Sequence, residues 1–469
     1  MATLTQPRPV ETRMRGLFRD PQSLPDRIAA IVVNCPDGLT RVKVGPLRFA
    51  VIADPGLART LLTRPTGVRK GRGIDALKFL LGDGLLTSET DLHRRQRRLV
   101  NPAFQPSRIA GYGHDFVRAA GARADVWQDG AVVDLHEEMS SLTLDVVGRT
   151  LFGADLSGDA TEIAAALASL LPAFPQLMRP WGFAMMGLPS PLRHRLRTAA
   201  KRLDAVIDRL VAQRQAAIAA GTAPAEGSDL LSMLLAARDE ESGEPMPPRL
   251  VRDEALTLLL AGHETTAVAL SWTWFELARH PAERALLQAE VRAPQAAAAF
   301  GTAGWEQLPY TRAVIAETIR LHPPAYVIGR RVTEPVELGG HLLEPGTLCL
   351  VSPYALARDP RSWPEPSTWR PSRWLDAAGG YDEAATGAPR GAYLPFGAGA
   401  RICIGAMFAS MEATLLLAVL SARFQADVAV DFEPGNLPAV TLRPKNGVVA
   451  TLRALDPAPR TAGVELSDG

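Results

Sequence analysis

Apolar positions recur along most of this chain at three- and four-residue spacing, the period of helices that bury one stripe. On that pattern helices are predicted at residues 25–33, 131–151, 159–171, 192–220, 250–279 and 308–321. Strict alternation is rarer. It marks Leu39–Val44 and Leu47–Ile52 as a hairpin around Gly45-Pro46, the only strand signal in the first third. Asp54-Pro55 opens a helix that runs through Leu62. Residues 71–87 are Gly-rich and irregular, yet carry Leu77, Phe79 and Leu86, so they must cover something apolar. Residues 172–191 mix prolines with Phe, Trp and Met and read as a lid over an apolar channel, and 221–228 read as a linker. The 250–279 helix is about 45 Å long and apolar on all sides, so it is expected to be buried. Short strands are predicted at 336–338 and 348–352, irregular chain at 376–391, and an apolar helix over 406–424. A last hairpin is predicted to pair 440–444 with 447–452 and to reach inward at Val440.

Composition narrows the classes. The 469 residues carry 51 basic and 50 acidic side chains, which gives no general attraction to nucleic acid. Cys35, Cys349 and Cys403 are odd in number and far apart, which argues against a disulfide framework or a zinc site and fits a reducing, cytoplasmic setting. Residues 1–22 form an Arg- and Pro-bearing lead-in without a signal-peptide core, and no apolar run is long enough for a membrane anchor. Residues 23–454 are expected to be one domain and 455–469 a disordered tail.

Three places carry chemistry. The buried 250–279 helix reads Ala261-Gly262-His263-Glu264-Thr265-Thr266 at its centre, and a Gly with four polar residues there means either satisfied groups around a kink or a site. In 91–98, His93 and Arg97 are four apart and share a helix face within an arginine run that could equally be solvated surface. Residues 396–405 read Phe-Gly-Ala-Gly-Ala-Arg-Ile-Cys-Ile-Gly. Cys403 sits among glycines at the mouth of a helix, whose free N–H groups favour a thiolate. That cysteine is either a structural thiol in a glycine turn or a thiolate that ligates haem iron.

Phe396, Gly399, Arg401, Cys403 and Gly405 match the spacing Phe-x-x-Gly-x-Arg-x-Cys-x-Gly, and the chain thereby resembles the cytochrome P-450 family. The resemblance runs from about residue 39 to 452. The centre of the long helix, the Glu317-x-x-Arg320 pair and the Trp369-to-Trp374 stretch with Arg373 follow in family order. It implies a mainly α fold with a small β region and a long central helix over haem b. It implies that Cys403 is the axial thiolate, and that His93, Arg97, Arg330, Phe396, Arg401 and Gly405 hold the cofactor, with Arg331 the alternative to Arg330. Glu264 and Thr265 are expected to move protons to bound oxygen, with His263 off the iron. Glu317, Arg320 and Arg373 are expected to form a buried brace. Ser372 and Trp374 replace the family's usual Glu and Phe and are expected to leave that brace untouched. Leu77, Phe79, Leu86, Ala261, Val327, Ile328 and Val440 are expected to line an apolar substrate pocket.

The activity implied is insertion of one oxygen atom from O2 into an apolar organic molecule such as a terpenoid, fatty acid, steroid or polyketide. Electrons would come from a separate ferredoxin or flavodoxin with its reductase, docking on the arginine patch of a monomer. Two rivals are a peroxide-driven haem-thiolate oxygenase and a non-catalytic haem sensor or carrier. Intact Glu264 and Thr265 argue against the first.

Overall fold

The computed structural model describes residues 20–170, 173–177, 190–222, 229–238, 243–302 and 304–456. Its axis is the helix Pro248–Arg279, which is buried along most of its length. A helix with no polar face needs neighbours all round. It has them in Leu135–Phe152, Pro191–Ala219, Pro309–Leu321 and Ala406–Ser421. The last of these carries the residues just after Cys403 and packs on Pro106–Val126. There Phe408 meets Phe104, Tyr112 and Phe116 edge-on, with ring centroids 5.0–6.2 Å apart. These helices share one continuous apolar core.

A second core lies against a five-stranded sheet. Its order is Leu39–Val44, Leu47–Ile52, Leu348–Val351, Ile328–Val332, Val68–Lys70. The predicted first hairpin is present, with Val44 paired to Leu47 and Gly45 at φ +57° in the two-residue turn. Asp54 caps the helix Pro55–Thr63 by accepting from the Leu57 amide at 2.7 Å. Among the described residues no helix is long and apolar enough to cross a membrane.

Several expectations need correction. Residues 71–87 are not irregular throughout, because Arg72–Leu81 is a helix. The first part of the 131–151 prediction is a strand, Val132–Asp134, and the helix starts after it at Leu135, where Asp134 accepts from the His136 amide. The apolar run 406–424 stops being helical at Ser421, and Phe424–Asp427 is a strand. The final hairpin is also paired differently. Leu442–Pro444 pairs with Asn436–Pro438, while Val449–Ala454 joins Phe424–Asp427 and Val132–Asp134 in a separate sheet. The helices Pro106–Val126, Pro281–Val291 and Pro294–Thr302 and the strand Ile328–Val332 were not read from the sequence. Most of the proposed lid and linker, like the lead-in up to residue 19 and the tail from 457, lies outside the described residues.

Candidate functional site

Cys403 lies in a loop folded back on itself, with its amide donating to Phe396 O at 2.9 Å. Gly399, at φ +72°, passes so close to the helix Pro55–Thr63 that an added Cβ would lie 2.7 Å from Leu62 O. Cys35 and Cys349 are buried, whereas Cys403 is exposed together with Ile402. The surrounding protein pushes the Cys403 thiol pKa up, while the Gly405 amide and the Arg97 charge act in the opposite direction.

The long helix offers an open face at its centre. Ala261 is exposed and Gly262 and Thr265 are half-buried, within a helix buried on either side of them. Ala261 and Thr265 are four apart and share a face, and the Thr265 hydroxyl donates to Ala261 O at 2.8 Å. Thr266 turns the other way and donates to Glu412 Oε2 of the cysteine helix at 2.9 Å. This bond ties the threonine step to the helix that follows Cys403. Buried Glu412 is pushed up to about 8 by desolvation, so it is a neutral acid. His263 is buried on the closed side, and its backbone carbonyl accepts from Thr143.

The Glu264 side chain is held inside the protein. It is buried, accepts from Thr441 Oγ1 at 2.7 Å, and forms a two-pronged ion pair with Arg443. Burial would raise its pKa, but the Arg443 bonds and charge outweigh that and hold it below the ordinary carboxylate range. The expected proton carrier is therefore pinned as an anion. Neither partner was read from the sequence, because nothing local links positions so far apart.

A cluster of cations adjoins the cysteine loop. Arg97 donates to Ile402 O at 2.7 Å, and Arg401 pairs with Glu89 at 2.6 Å. Lys70 and Arg330 are direct cross-strand partners, so both side chains leave the sheet on one side. Arg331, on the other side, pairs with Asp75 at 3.2 Å. Arg330 and Arg331 thus leave the sheet on opposite sides, Arg330 with Lys70 and Arg331 with Asp75. Lys70, which belongs to no motif, donates to Leu85 O and Ser88 O, and burial and the Arg401 charge lower its pKa to about 7. Buried His93 falls to about 3 through desolvation and the charges of Lys70, Arg401 and Arg97. The cations outnumber the acids nearby, Glu89 and Glu254, so the cluster is suited to take further carboxylates.

The expected brace is formed and fully buried. Arg320 grips both Glu317 oxygens at 2.7 and 2.8 Å, and Arg373 donates to Oε1 at 2.9 Å. The Arg370 amide and the Trp374 indole N–H add bonds at 2.8 and 2.9 Å. Trp374 is thus part of the brace, contrary to expectation.

Of the pocket candidates, Leu77 and Leu86 pack at the edge of the main core, and Val327 and Ile328 at the edge of the second. Val440 is 38% exposed at the turn of its hairpin. Phe79 does not join them. It is 40% exposed beside Lys78, on the side of its helix away from Leu77.

A family model described as cytochrome P450 matches residues 16–450. The chain belongs to the cytochrome P450 family. It is 39% identical over 390 residues to the cyclooctatin synthase of Streptomyces melanosporofaciens, covering 82% of each chain. It is 33% identical to the cyclooctat-9-en-7-ol 5-monooxygenase of the same organism, again over 82% of each. It is 32% identical to the pentalenene oxygenase of Streptomyces avermitilis, over 84% of this chain and 85% of that one. P450 enzymes are oxidoreductases that carry haem on a cysteine thiolate. The residues present fit that group: one exposed thiol on a glycine-bearing loop, an open face on the long helix, and an excess of cations beside the loop suited to carboxylates.

Proposed function

We propose that this P450 is a monooxygenase of neutral, cyclic terpenoids. The observation that carries the reading is the open face at Ala261 and Thr265, set in a helix buried on either side of them, which Leu77, Leu86, Val327, Ile328 and Val440 are taken to edge. A substrate there finds apolar surface and no charged anchor, as a hydrocarbon or terpene alcohol requires. The relatives' names point the same way, since two of them name cyclooctat-9-en-7-ol and pentalenene as what they oxidise.

In this reading Cys403 would bind the iron, Arg97, Arg330, Arg401 and His93 would hold the propionates, and Phe396 and Gly405 would help hold the haem. The haem, once bound, activates dioxygen with electrons delivered from outside. Thr265 holds a water or hydroxyl proton at Oγ1 on the open face, and Glu264 passes protons towards it from solvent. The brace keeps the cysteine loop fixed while this happens. Arg94, Arg95 and Arg98 stand exposed on the helix whose Arg97 touches the Cys403 loop, and they suit an acidic ferredoxin or flavodoxin. Residues 23–454 are taken to act as one cytoplasmic, monomeric unit.

The test is a spectral titration of the haem-loaded protein with neutral terpenes, terpene alcohols, and fatty acids of equal size. The neutral cyclic compounds are expected to shift the haem spectrum at the lowest concentrations. Preference for carboxylic acids would overturn the substrate reading. Loss of the thiolate-type spectrum of the reduced carbonyl complex in Cys403→His is expected, and its persistence would overturn the ligand assignment.

A further inference from the structure

Leu85 is gripped from two sides. Its amide donates to Glu254 Oε2 of the long helix at 2.9 Å, and its carbonyl accepts from Lys70 Nζ at 2.8 Å. The same ammonium donates to Ser88 O at 2.8 Å, so Lys70 holds this segment at two points. The segment also lies hard against the long helix. The Asp83 amide donates to Asp253 Oδ2 at 2.9 Å. A Cβ added to Gly82 would overlap the Asp253 carboxylate, and one added to Gly84 would overlap the Thr257 hydroxyl. Thr257 stands four residues before Ala261, one turn earlier on the same side of the helix. Residues 82–88 therefore abut the helix just before its open face begins. Glu254 and Lys70 are both buried, and among the described residues Glu254 Oε1 has no hydrogen-bond partner. Burial pushes Glu254 up to about 7, against the pull of the Leu85 amide and the Lys70 charge. Acid and ammonium thus both change charge near neutral pH, and each favours the charged form of the other.

We propose that Lys70, Leu85 and Glu254 form a relay from the cation cluster to the long helix: carboxylates taken up by the cluster keep Lys70 charged, charged Lys70 keeps Glu254 ionised, and the ionised acid holds residues 82–88 firmly on the helix. This rests on the reading that the cluster takes the haem propionates. It makes Lys70 and Glu254 positioning residues, which act through Leu85 and touch neither iron nor substrate. The physical basis is that Lys70 shares its surroundings with Arg401 and Arg330, whose charges oppose its own. Added carboxylates relieve that repulsion, and a charged acceptor takes a stronger bond from the Leu85 amide than a neutral one. The other charged groups around Lys70 are Glu89 and His93. Beside Glu254, Asp253 opposes ionisation, while Arg252 is turned to Asp253 and to Asp204 of the helix Pro191–Ala219. Filling the cofactor site on one side of the 82–88 segment thereby fixes its contact with the long helix on the other.

The test reads the protonation of Glu254 by infrared difference spectroscopy, with Glu254→Gln identifying the band. It compares the haem-loaded protein with the same chain loaded with haem dimethyl ester, which has no free carboxylate. The ester form is expected to raise the midpoint for Glu254 protonation by about one pH unit, and Lys70→Met to raise it by about one to three, the effect of removing a nearby opposite charge. Hydrogen exchange, corrected for its intrinsic pH dependence, reads the last link. In the haem-loaded protein the Leu85 amide is expected to slow about fivefold as pH rises through the midpoint, the gain of a charged over a neutral acceptor. Glu254→Gln is expected to abolish that step. A midpoint that is the same in haem and ester forms, or a Leu85 amide that exchanges at one rate on both sides of it, overturns the relay. Should Lys70→Met fail to hold haem, the ester comparison needs no variant and still decides. Equal affinity for haem and its ester would instead count against the propionate reading, and an unchanged midpoint in Lys70→Met would then also remove Lys70 from control of Glu254.

Discussion

Glu317 shows how much one buried residue can be asked to do. A lone carboxylate at zero exposure would be very costly, but five N–H donors, two from Arg320 and one each from Arg373, Trp374 and the Arg370 backbone, saturate both oxygens. Burial alone would raise its pKa, but Arg320 and Arg373 keep it ionised. Trp374→Phe removes one donor and leaves Oε2 with Arg320, so a loss of about 1 kcal/mol is expected in urea unfolding. Arg373→Ala breaks a buried ion pair, and a loss of about 3–5 kcal/mol with poor haem retention is expected. The three charged members of the brace were legible because their spacing resembles a family pattern. Trp374 was not, because a tryptophan in a phenylalanine position reads as bulk, and its N–H acquires meaning only when a carboxylate stands 2.9 Å away.

Between elements, the contact of the long helix with the cysteine helix rests on a neutral acid. Glu412 stays protonated in the folded chain up to about pH 8, whereas in the unfolded chain it ionises above about pH 4.3. The unfolded state therefore binds fewer protons across that window, and stability falls as pH rises through it, by about 3 kcal/mol at pH 7. Glu412→Gln keeps a neutral group that can bond Thr266 and removes this dependence. Its melting temperature is expected to match wild type near pH 4.5 and to exceed it increasingly up to pH 8. At the cysteine loop, Gly399→Ala would force a side chain into a left-handed backbone and against Leu62 O and Thr63 Cα, so a loss of at least about 1–2 kcal/mol in thermal unfolding is expected. Gly405→Ala meets only Phe104 at 3.7 Å and the Cys403 sulfur at 4.0 Å, at a negative φ, and the chain is expected to fold with little change. Most long helices were legible from apolar period. Strand pairing was not: Val449–Ala454 alternates clearly, but its partners lie at 132–134 and 424–427, and alternation says nothing about which distant strand completes the ladder.

For the whole molecule, His93, held neutral by burial and by the cations beside the cysteine loop, is a source of acid sensitivity. His93 stays neutral in the fold down to about pH 3, while an unfolded histidine charges below about 6.5. A depressed histidine pKa makes the unfolded state bind more protons in that range, so stability is lost as pH falls from 6.5, by about 2 kcal/mol at pH 5. The haem propionates would offset the positive surroundings and raise His93, so melting curves of the haem-loaded protein are expected to be less acid-sensitive than those of the haem-free one between pH 4 and 6.5. His93→Gln should narrow that difference. The class of fold was visible in the sequence only through motif resemblance, since the five-stranded sheet gathers strands from residues 39–70 and 328–351 that nothing local connects.

The brace also has a consequence for synthesis. Glu317 and Arg320 are three apart and can meet as soon as their helix forms, but the Arg370 amide and Trp374 lie 53 and 57 residues downstream of Glu317. At about 5–20 residues per second, a ribosome needs roughly 3–10 s to supply them. For that interval the nascent chain exposes a half-satisfied carboxylate and the apolar surroundings meant to enclose it. The Cys403 loop is made later still, so the haem site can be completed only after the wait is over.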